Sequence, residues 1–253
     1  MKIGQLLTHF YNSVVTDSSP VRLAPGQTLL FDADDTLWEN NIYFERAIAG
    51  FISYLDHRAH SPEEVREHLN GCERATIAEH GYGLKSFRRS LVACFEQLSC
   101  QVITPETHAQ IVGFTDIVAE HQIELLDGVI DTLPELAARH RCILVTKGDA
   151  AEQRDKLERS GLAQHFSAIE VLPEKHEDAY RALSLHHACE TPATWMIGNS
   201  PKSDINPALA AGLNAVFVPH GATWVLEHEE VIQAPAGQRL LMCERFPELM
   251  QYF

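Results

Sequence analysis

The stretch FDADDTLWEN, residues 31–40, places three aspartates within four positions, directly after the apolar run Leu29–Phe31. Aspartates are favoured where a strand ends, because their side chains bond the local backbone in turns. Three carboxylates this close also repel one another and lose hydration, unless they share a cation or a proton. The stretch is therefore consistent with turn chemistry, and it favours a metal or phosphoryl site at the end of a buried strand.

The composition is that of a globular protein with an acidic surplus. Of 253 residues, 45% are hydrophobic and 22% are charged, and the net charge is -15. These values suit one large α/β domain, or a core domain with a smaller insertion. A nucleic-acid interface needs clustered Lys and Arg, and no such stripe is present, so we expect no nucleic-acid partner. A divalent cation suits this charge better.

The sequence gives no sign of export or of a membrane span. Residues 1–20 lack an apolar core of signal-peptide length, and no later segment is apolar for long enough to cross a bilayer. We expect a soluble, cytoplasmic monomer or homodimer with no membrane partner. The cysteines are scattered without a C-x-x-C pair, which favours reduced, buried thiols over a zinc site or disulfides. They are Cys72, Cys94, Cys100, Cys142, Cys189 and Cys243.

Five short apolar segments, separated by helical patterns, predict β-strands. They are Leu29–Ala33, RCILVTK at 141–147, AIEVL at 168–172, TWMIG at 194–198 and NAVFV at 214–218. Strands that alternate with helices are typical of a parallel sheet covered on both faces. We therefore predict an α/β fold with a doubly wound, Rossmann-like parallel sheet.

The first two predicted strands are separated by a long helical segment. About four helices are expected between Asn41 and Gln122, with N-terminal caps at Ser61 and Thr104. This pattern predicts that a helical domain is inserted after the first strand. We place the core domain at residues 1–39 and 124–253, and the all-helical cap domain at residues 40–123.

Polar side chains follow the predicted strands, where ligands bind in doubly wound sheets. They are Asp32, Asp34, Asp35 and Thr36 after the first strand, Thr146 and Lys147 at the second, Lys175 after the third, and Asn199, Ser200 and Asp204 after the fourth. A carboxylate can attack phosphorus, and a cation held by oxygens screens the repulsion between the two anions. Lysine and hydroxyl groups can hold the phosphoryl oxygens. The set predicts phosphoryl transfer.

Four motifs in chain order resemble those of the haloacid dehalogenase-like superfamily. The family's D-x-D-x-T appears as Asp32-Ala33-Asp34-Asp35-Thr36, its Ser or Thr as Thr146, and its Lys as Lys175. The fourth motif, usually G-D-S-x-x-S-D, appears as GNSPKSD at 198–204. The resemblance implies the core predicted above, and a helical C1-type cap that covers the site and selects substrates.

The resemblance also implies roles for the motif residues. Asp32 would attack phosphorus, and Asp34 would protonate the leaving oxygen and later activate water. Thr146 and Lys175 would bind the phosphoryl group. Magnesium would be held by the Asp32 carboxylate, the Asp34 carbonyl and the fourth motif.

The fourth motif departs from the family pattern at one position. Asn199 stands where most relatives have an aspartate. An amide oxygen can still coordinate magnesium together with Asp204, or Asn199 only holds the loop by hydrogen bonds.

The predicted cap contains one candidate substrate loop. HGYGLKSFRRS, residues 80–90, interrupts the helical pattern with two glycines and carries Tyr82 and Lys85. This segment either reaches the core pocket or is a plain helix connector. Lys147, next to Thr146, is a further candidate substrate contact.

The expected function is magnesium-dependent hydrolysis of a small phosphorylated metabolite through an aspartyl phosphate on Asp32. The alternatives are a 2-haloacid dehalogenase, a phosphomutase and a non-enzymatic phospho-accepting module. Dehalogenases of this superfamily lack the second aspartate, because a halide leaves without a proton, so Asp34 favours phosphate. A phosphomutase needs both aspartates and is separated only by turnover.

Overall fold

The computed structural model describes residues 22–55, 59–99 and 101–253, and its centre is a parallel sheet. The strands are β1 Thr28–Phe31, β2 Arg141–Lys147, β3 Ala168–Leu172, β4 Thr194–Gly198, β5 Asn214–Phe217 and β6 Leu240–Met242. They form one six-stranded sheet in the order β3-β2-β1-β4-β5-β6. The predicted doubly wound α/β fold is confirmed. The five predicted strands are present, and β6 is a sixth that was not predicted.

The segment at residues 41–122 is helical, as predicted, but it contains five helices in the described residues instead of about four. They are α1 Asn41–Tyr54, α2 Pro62–His80, α3 Leu84–Leu98, α4 Pro105–Gly113 and α5 Asp116–Glu120. Ser61 caps α2 with a full capping box, since it accepts from the Glu64 amide and Glu64 accepts from the Ser61 amide. Thr104 caps α4 through the Thr107 amide.

The later helices alternate with the strands and cover the sheet. They are α6 Val129–Ala137, α7 Ala150–Ser160, α8 Glu177–His186 and α9 Asn206–Ala210. Central strand β1 is buried on both sides, because Leu29 and Phe31 belong to one hydrophobic cluster and Leu30 to another. This burial explains why β1 reads as a continuous apolar run.

Residues 41–120, called the helical insertion below, have a hydrophobic cluster of their own. Phe51 of α1, Leu69 of α2, Leu91 of α3 and Ile111 of α4 belong to it and are fully buried. The insertion therefore does not depend on the sheet for its core. The exact boundaries of a cap domain stay a prediction.

Five of the six cysteines lie in the described residues, and all five are free: Cys72, Cys94, Cys142, Cys189 and Cys243. Cys100 and the N-terminal residues 1–21 lie outside the described residues. In the part of the chain that the structure describes, no helix has the length and apolar character needed to cross a bilayer.

Candidate active site

The carboxyl ends of the central strands meet at one cavity below the helical insertion. The cavity has a volume of about 170 Å³ and is lined from both the sheet and the insertion. Strand β1 lies between β2 and β4, so the residues that follow these strands converge. The predicted residues that line the cavity are Asp32, Asp34, Tyr82, Thr146, Lys147, Lys175, Asn199 and Asp204.

Lys175 lies between two carboxylates at the bottom of this cavity. Its Nζ donates to Asp32 Oδ1 at 2.5 Å and to Asp204 Oδ1 at 2.8 Å. Burial alone would lower the pKa of Lys175, but the charges of Asp204 and Asp32 outweigh it and hold this pKa well above its usual value. Lys175 is therefore a charged ammonium that faces the predicted nucleophile.

Asp204 is held on the opposite side of Lys175 by the backbone of the fourth motif. Its Oδ2 accepts from the Ser200 amide at 2.9 Å. Burial and the charge of Asp32 raise the pKa of Asp204 to about 7. Two carboxylates with one ammonium between them are a site with surplus negative charge, which a cation relieves.

Thr36 connects Asp32 to Asn199. Its hydroxyl lies 2.9 Å from Asp32 Oδ2 and 3.2 Å from Asn199 Oδ1. The Asn199 side chain also donates through Nδ2 to Thr223 Oγ1 at 3.0 Å. The amide oxygen of Asn199 is thus turned towards the carboxylates, while its nitrogen fixes the loop after β5.

Asp34 accepts hydrogen bonds on both carboxylate oxygens. Trp38 Nε1 donates to Oδ1 at 2.7 Å, Gln153 Nε2 donates to Oδ2 at 2.8 Å, and Lys156 Nζ contacts both oxygens at 2.9 and 3.0 Å. Burial raises the pKa of Asp34, but the Lys156 charge and these bonds outweigh burial, and the net direction is down. Asp34 is an ionised acceptor in this arrangement.

Asp35, the third aspartate, accepts hydrogen bonds from the local backbone. It has a positive φ of 61°. Its Oδ1 accepts from the amides of Asn40 and Asn41 at 2.9 and 3.0 Å, at the start of α1. Burial raises the pKa of Asp35 to about 7. All three aspartates line the cavity, but the turn chemistry considered from the sequence belongs to Asp35 alone.

Lys147 lines the cavity but is already paired. Its Nζ donates to Glu227 Oε1 at 2.7 Å, to Ser203 Oγ at 2.8 Å and to Tyr82 Oη at 3.2 Å. Tyr82 in turn donates to Glu174 Oε2 at 2.6 Å. This network ties the Gly81–Gly83 turn of the insertion to the core. Substrate binding by Lys147 and Tyr82 stays a prediction.

Lys85 is not at the cavity. It is exposed and is absent from the cavity lining, whereas Ser86, Phe87 and Ser90 of the same helix α3 line it. The reason is helical phase, because residues that share a face are three or four positions apart and Lys85 falls on the outer side. The structure therefore gives no support to Lys85 as a substrate contact.

Several cavity residues were not predicted from the sequence. Gln153 and Lys156 lie on α7, Glu73 lies on α2, and Glu227 follows the loop after β5. The spacing of Gln153 and Lys156, three positions apart just after the second motif, is the one available signal that they share a face. Nothing in the local sequence distinguishes Glu73 from other helix-surface glutamates.

The oxygen donors at the strand ends fit a magnesium ion. Asp32, Asn199 and Asp204 offer carboxylate and amide oxygens, the ligand types of hard divalent cations. Two carboxylates of this set, Asp32 and Asp204, share the single ammonium of Lys175, so the set has negative charge left for a cation. The Asp34 carboxylate is occupied by Lys156, so only its backbone carbonyl remains as the predicted ligand.

Comparison with known proteins places this arrangement in a family. The family model of haloacid dehalogenase-like hydrolases matches residues 29–218, well over half of the chain. The N-acylneuraminate-9-phosphatase of Mus musculus is 33% identical over 101 residues, which are 38% of this chain and 40% of that protein. The Homo sapiens protein of the same name is 30% identical over 96 residues, with 36% and 39% covered. The chain thus spans about 40% of the mouse relative's length.

Solved structures share the whole fold. A haloacid dehalogenase-like family hydrolase from Xanthomonas campestris is 29% identical, with a TM-score of 0.73 over 90% of this chain and 96% of that one. The L-2-haloacid dehalogenase from Xanthobacter autotrophicus is 15% identical, with a TM-score of 0.59 over 88% and 96% of the two chains. At that identity the second likeness is one of fold alone.

Proposed function

The chain belongs to the haloacid dehalogenase-like hydrolase family, and we propose that it is a magnesium-dependent phosphomonoester hydrolase acting on a small phosphorylated metabolite. The observation that carries this proposal is that two carboxylates, Asp32 and Asp34, line one cavity. Each has its own lysine, because Asp32 pairs with Lys175 and Asp34 pairs with Lys156. A hydrolase that transfers a phosphoryl group needs both a nucleophile and a proton carrier. The local similarity to phosphatases supports the same reaction class.

In the proposed first step, an Asp32 oxygen attacks phosphorus and forms a new P–O bond, while the ester P–O bond breaks. The leaving oxygen takes a proton from Asp34, and an aspartyl phosphate remains on Asp32. In the second step, Asp34 takes a proton from water as the water oxygen attacks the same phosphorus. Phosphate leaves, and the Asp32 carboxylate is restored.

The other motif residues hold the phosphoryl group during both steps. Lys175 supplies a buried ammonium next to the nucleophile, and Thr146 supplies a hydroxyl at the end of β2. Magnesium, held by Asp32, Asn199, Asp204 and the Asp34 carbonyl, would screen the repulsion between carboxylate and phosphate.

Asp34 must be protonated for the first step, although its contacts favour the ionised form. The Lys156 ammonium and the Gln153 amide lower its pKa in the protein without substrate. A phosphoryl dianion beside Asp34 raises this pKa again, because a like charge disfavours the carboxylate. Substrate binding would therefore protonate Asp34, which can then donate this proton to the leaving oxygen.

The proposal is tested with an aryl phosphate assayed with magnesium and with excess EDTA. We expect turnover with magnesium and its loss on chelation, because an anionic substrate approaches a cluster of carboxylates. Full turnover in EDTA would contradict the metal requirement. Halide release from 2-chloropropionate would favour a dehalogenase. Conversion of a sugar phosphate into its positional isomer, without phosphate release, would favour a phosphomutase.

A further inference from the structure

Helix α2 places a carboxylate in the cavity wall that the proposed chemistry does not use. Glu73 and Ile77, one helical turn apart, both line the cavity. Glu73 is only 5% exposed, and its Oε2 has no hydrogen-bond partner among the described residues. Arg66, two turns earlier on the same helix, donates through Nη2 to Glu45 at 2.8 Å; it acts on Glu73 through its charge, and no hydrogen bond joins the two side chains. A buried acceptor without a partner costs free energy, so its place in a ligand cavity indicates a missing donor.

A second free acceptor lies on the core side of the same cavity. Gln153 Oε1 is buried and has no partner within the described residues. Its Nε2 donates to Asp34 Oδ2 at 2.8 Å, and only an amide nitrogen can bond a carboxylate in this way. The orientation of the amide is therefore fixed, and its oxygen is left to accept. The insertion and the core each present one unsatisfied acceptor.

The charges of the cavity disfavour a second anionic group on the substrate. Eight acidic side chains and three lysines line it, and there is no arginine among the described lining residues. Each lysine is already paired, Lys175 with Asp32 and Asp204, Lys156 with Asp34, and Lys147 with Glu227. A phosphoryl group can share Lys175, but no lining cation is left for a carboxylate on the leaving group.

The same cavity also has apolar surface. Phe44 of α1 and Phe87 of α3 both line the cavity, and their ring centroids are 4.9 Å apart in an edge-to-face arrangement. Such rings pack against the carbon atoms of a ligand, while the acceptors bond its polar groups. The wall thus suits a leaving group that has both C–H surface and O–H donors.

We propose that Glu73 is a specificity-determining residue that accepts a hydrogen bond from a hydroxyl of the leaving group, so that the preferred substrates are phosphate esters of uncharged polyols or sugars. This inference rests on the proposed phosphatase function and gives its substrate class. An anionic leaving group is repelled by the acidic side chains of the cavity, and an apolar leaving group gives Glu73 Oε2 no hydrogen bond.

The test uses three esters with the same six-carbon backbone. Sorbitol 6-phosphate has hydroxyls and no second charge, 6-phosphogluconate adds a carboxylate, and n-hexyl phosphate has no donor. We expect the wild type to have its highest kcat/KM for sorbitol 6-phosphate. In Glu73→Met the ratio of kcat/KM for sorbitol 6-phosphate to that for n-hexyl phosphate should fall roughly 10- to 100-fold, as expected when a buried hydroxyl of the substrate loses its hydrogen-bond partner.

The matched control is Glu79→Met, the same substitution at an exposed position of α2. It should leave the substrate ratio unchanged. Glu73→Gln keeps an acceptor oxygen and should retain part of the preference. The melting temperature of Glu73→Met should not fall, because methionine removes a buried carboxyl group whose Oε2 has no hydrogen-bond partner. A structural role for Glu73 would instead lower the melting temperature and reduce all rates together.

The outcomes separate this inference from the proposed function. An unchanged substrate ratio in Glu73→Met, with aryl phosphate still hydrolysed by the wild type, overturns the role of Glu73 and leaves the phosphatase reaction intact. A wild-type preference for 6-phosphogluconate or for n-hexyl phosphate over sorbitol 6-phosphate overturns the substrate class. No turnover of any compound, aryl phosphate included, refutes the proposed function and with it this inference.

Discussion

Three neighbouring aspartates have three different environments in this protein. Asp32 faces the ammonium of Lys175, Asp34 accepts from Trp38 and from two side chains of α7, and Asp35 accepts from two amides at the start of α1. The sequence predicted that the cluster had to be compensated, because like charges this close are costly. The sequence could not show that Asp35 is the one that bonds the backbone of the turn, because this role depends on the backbone conformation after β1.

At residue scale, Asn199 offers a direct test of the proposed metal site. Asn199→Asp adds one negative charge among the oxygen donors, so we expect half-maximal activity at a roughly tenfold lower magnesium concentration. The substitution also removes the donor that Asn199 gives to Thr223. A magnesium titration of activity measures the change.

Thr223→Ala is the matched control for this experiment. It removes the same hydrogen bond between Asn199 and Thr223 and adds no charge. Its magnesium dependence should stay close to that of the wild type. If Asn199→Asp also leaves the magnesium dependence unchanged, Asn199 only holds the loop and is not a ligand.

We expect the buried imidazole of His140 to make the free energy of unfolding depend on pH, independently of the active site. Burial, with the neighbouring charges of Arg139 and Arg22, lowers its pKa from 6.5 to about 4. Between these values the unfolded chain binds a proton at this imidazole and the folded chain does not, so stability is lost as the pH falls from 6.5 to 4. The loss from this one group is up to about 3 kcal/mol.

Urea unfolding at pH 7 and at pH 4.5 measures this contribution. His140 Nδ1 lies 3.3 Å from the Gln27 amide, and the Oδ1 of His140→Asn can replace it as an acceptor. We expect His140→Asn to lose less stability on acidification than the wild type. His108→Asn, at an exposed position of α4, is the control. Equal losses in the wild type and His140→Asn would show that the imidazole does not carry this effect.

At the scale of elements, the end of β4 sets the position of Asp204. A Cβ on Gly198 would lie 2.3 Å from Asp204 Oδ2, closer than atoms can approach. Gly198→Ala must therefore displace the Asp204 carboxylate from Lys175. We expect lower thermal stability and a higher magnesium requirement, measured by calorimetry and by a metal titration of activity.

Gly71→Ala is the control for an added methyl group. Gly71 lies inside α2, and a Cβ there would meet no atom within 4 Å. Because alanine favours helix over glycine, Gly71→Ala should stabilise the protein by about 0.5–1 kcal/mol with unchanged metal dependence. A Gly198→Ala variant that behaves like Gly71→Ala would show that the β4 end tolerates the movement of Asp204.

The prediction of an element succeeded where the sequence pattern has a local physical cause. The capping box at Ser61 and the apolar run of β1 were both recognisable, because each has a local physical cause. Strand β6, Leu240–Met242, has three residues, too few for a period to appear. It forms because β5 offers an unpaired edge, and that is a property of the assembled sheet.

At the scale of the whole molecule, the cavity joins residues from distant parts of the chain. The motifs predicted Asp32, Thr146, Lys175 and Asp204, since parallel strands end at one edge of the sheet. Glu73 could not be predicted, because its presence there depends on how the helical insertion lies over the sheet. Lys85 is absent from the lining for a local reason, because it lies on the outer side of α3.

The central claim is that Asp32 becomes phosphorylated during turnover. In Asp34→Asn the intermediate should break down slowly, because the amide cannot take a proton from water. Aryl phosphate is mixed with this variant and magnesium, the reaction is quenched with borohydride, and peptides are examined by mass spectrometry. Borohydride reduces an aspartyl phosphate to homoserine. The account predicts homoserine at position 32, and no homoserine and no turnover in Asp32→Asn. Reduction at another residue, or wild-type turnover by Asp32→Asn, would contradict it.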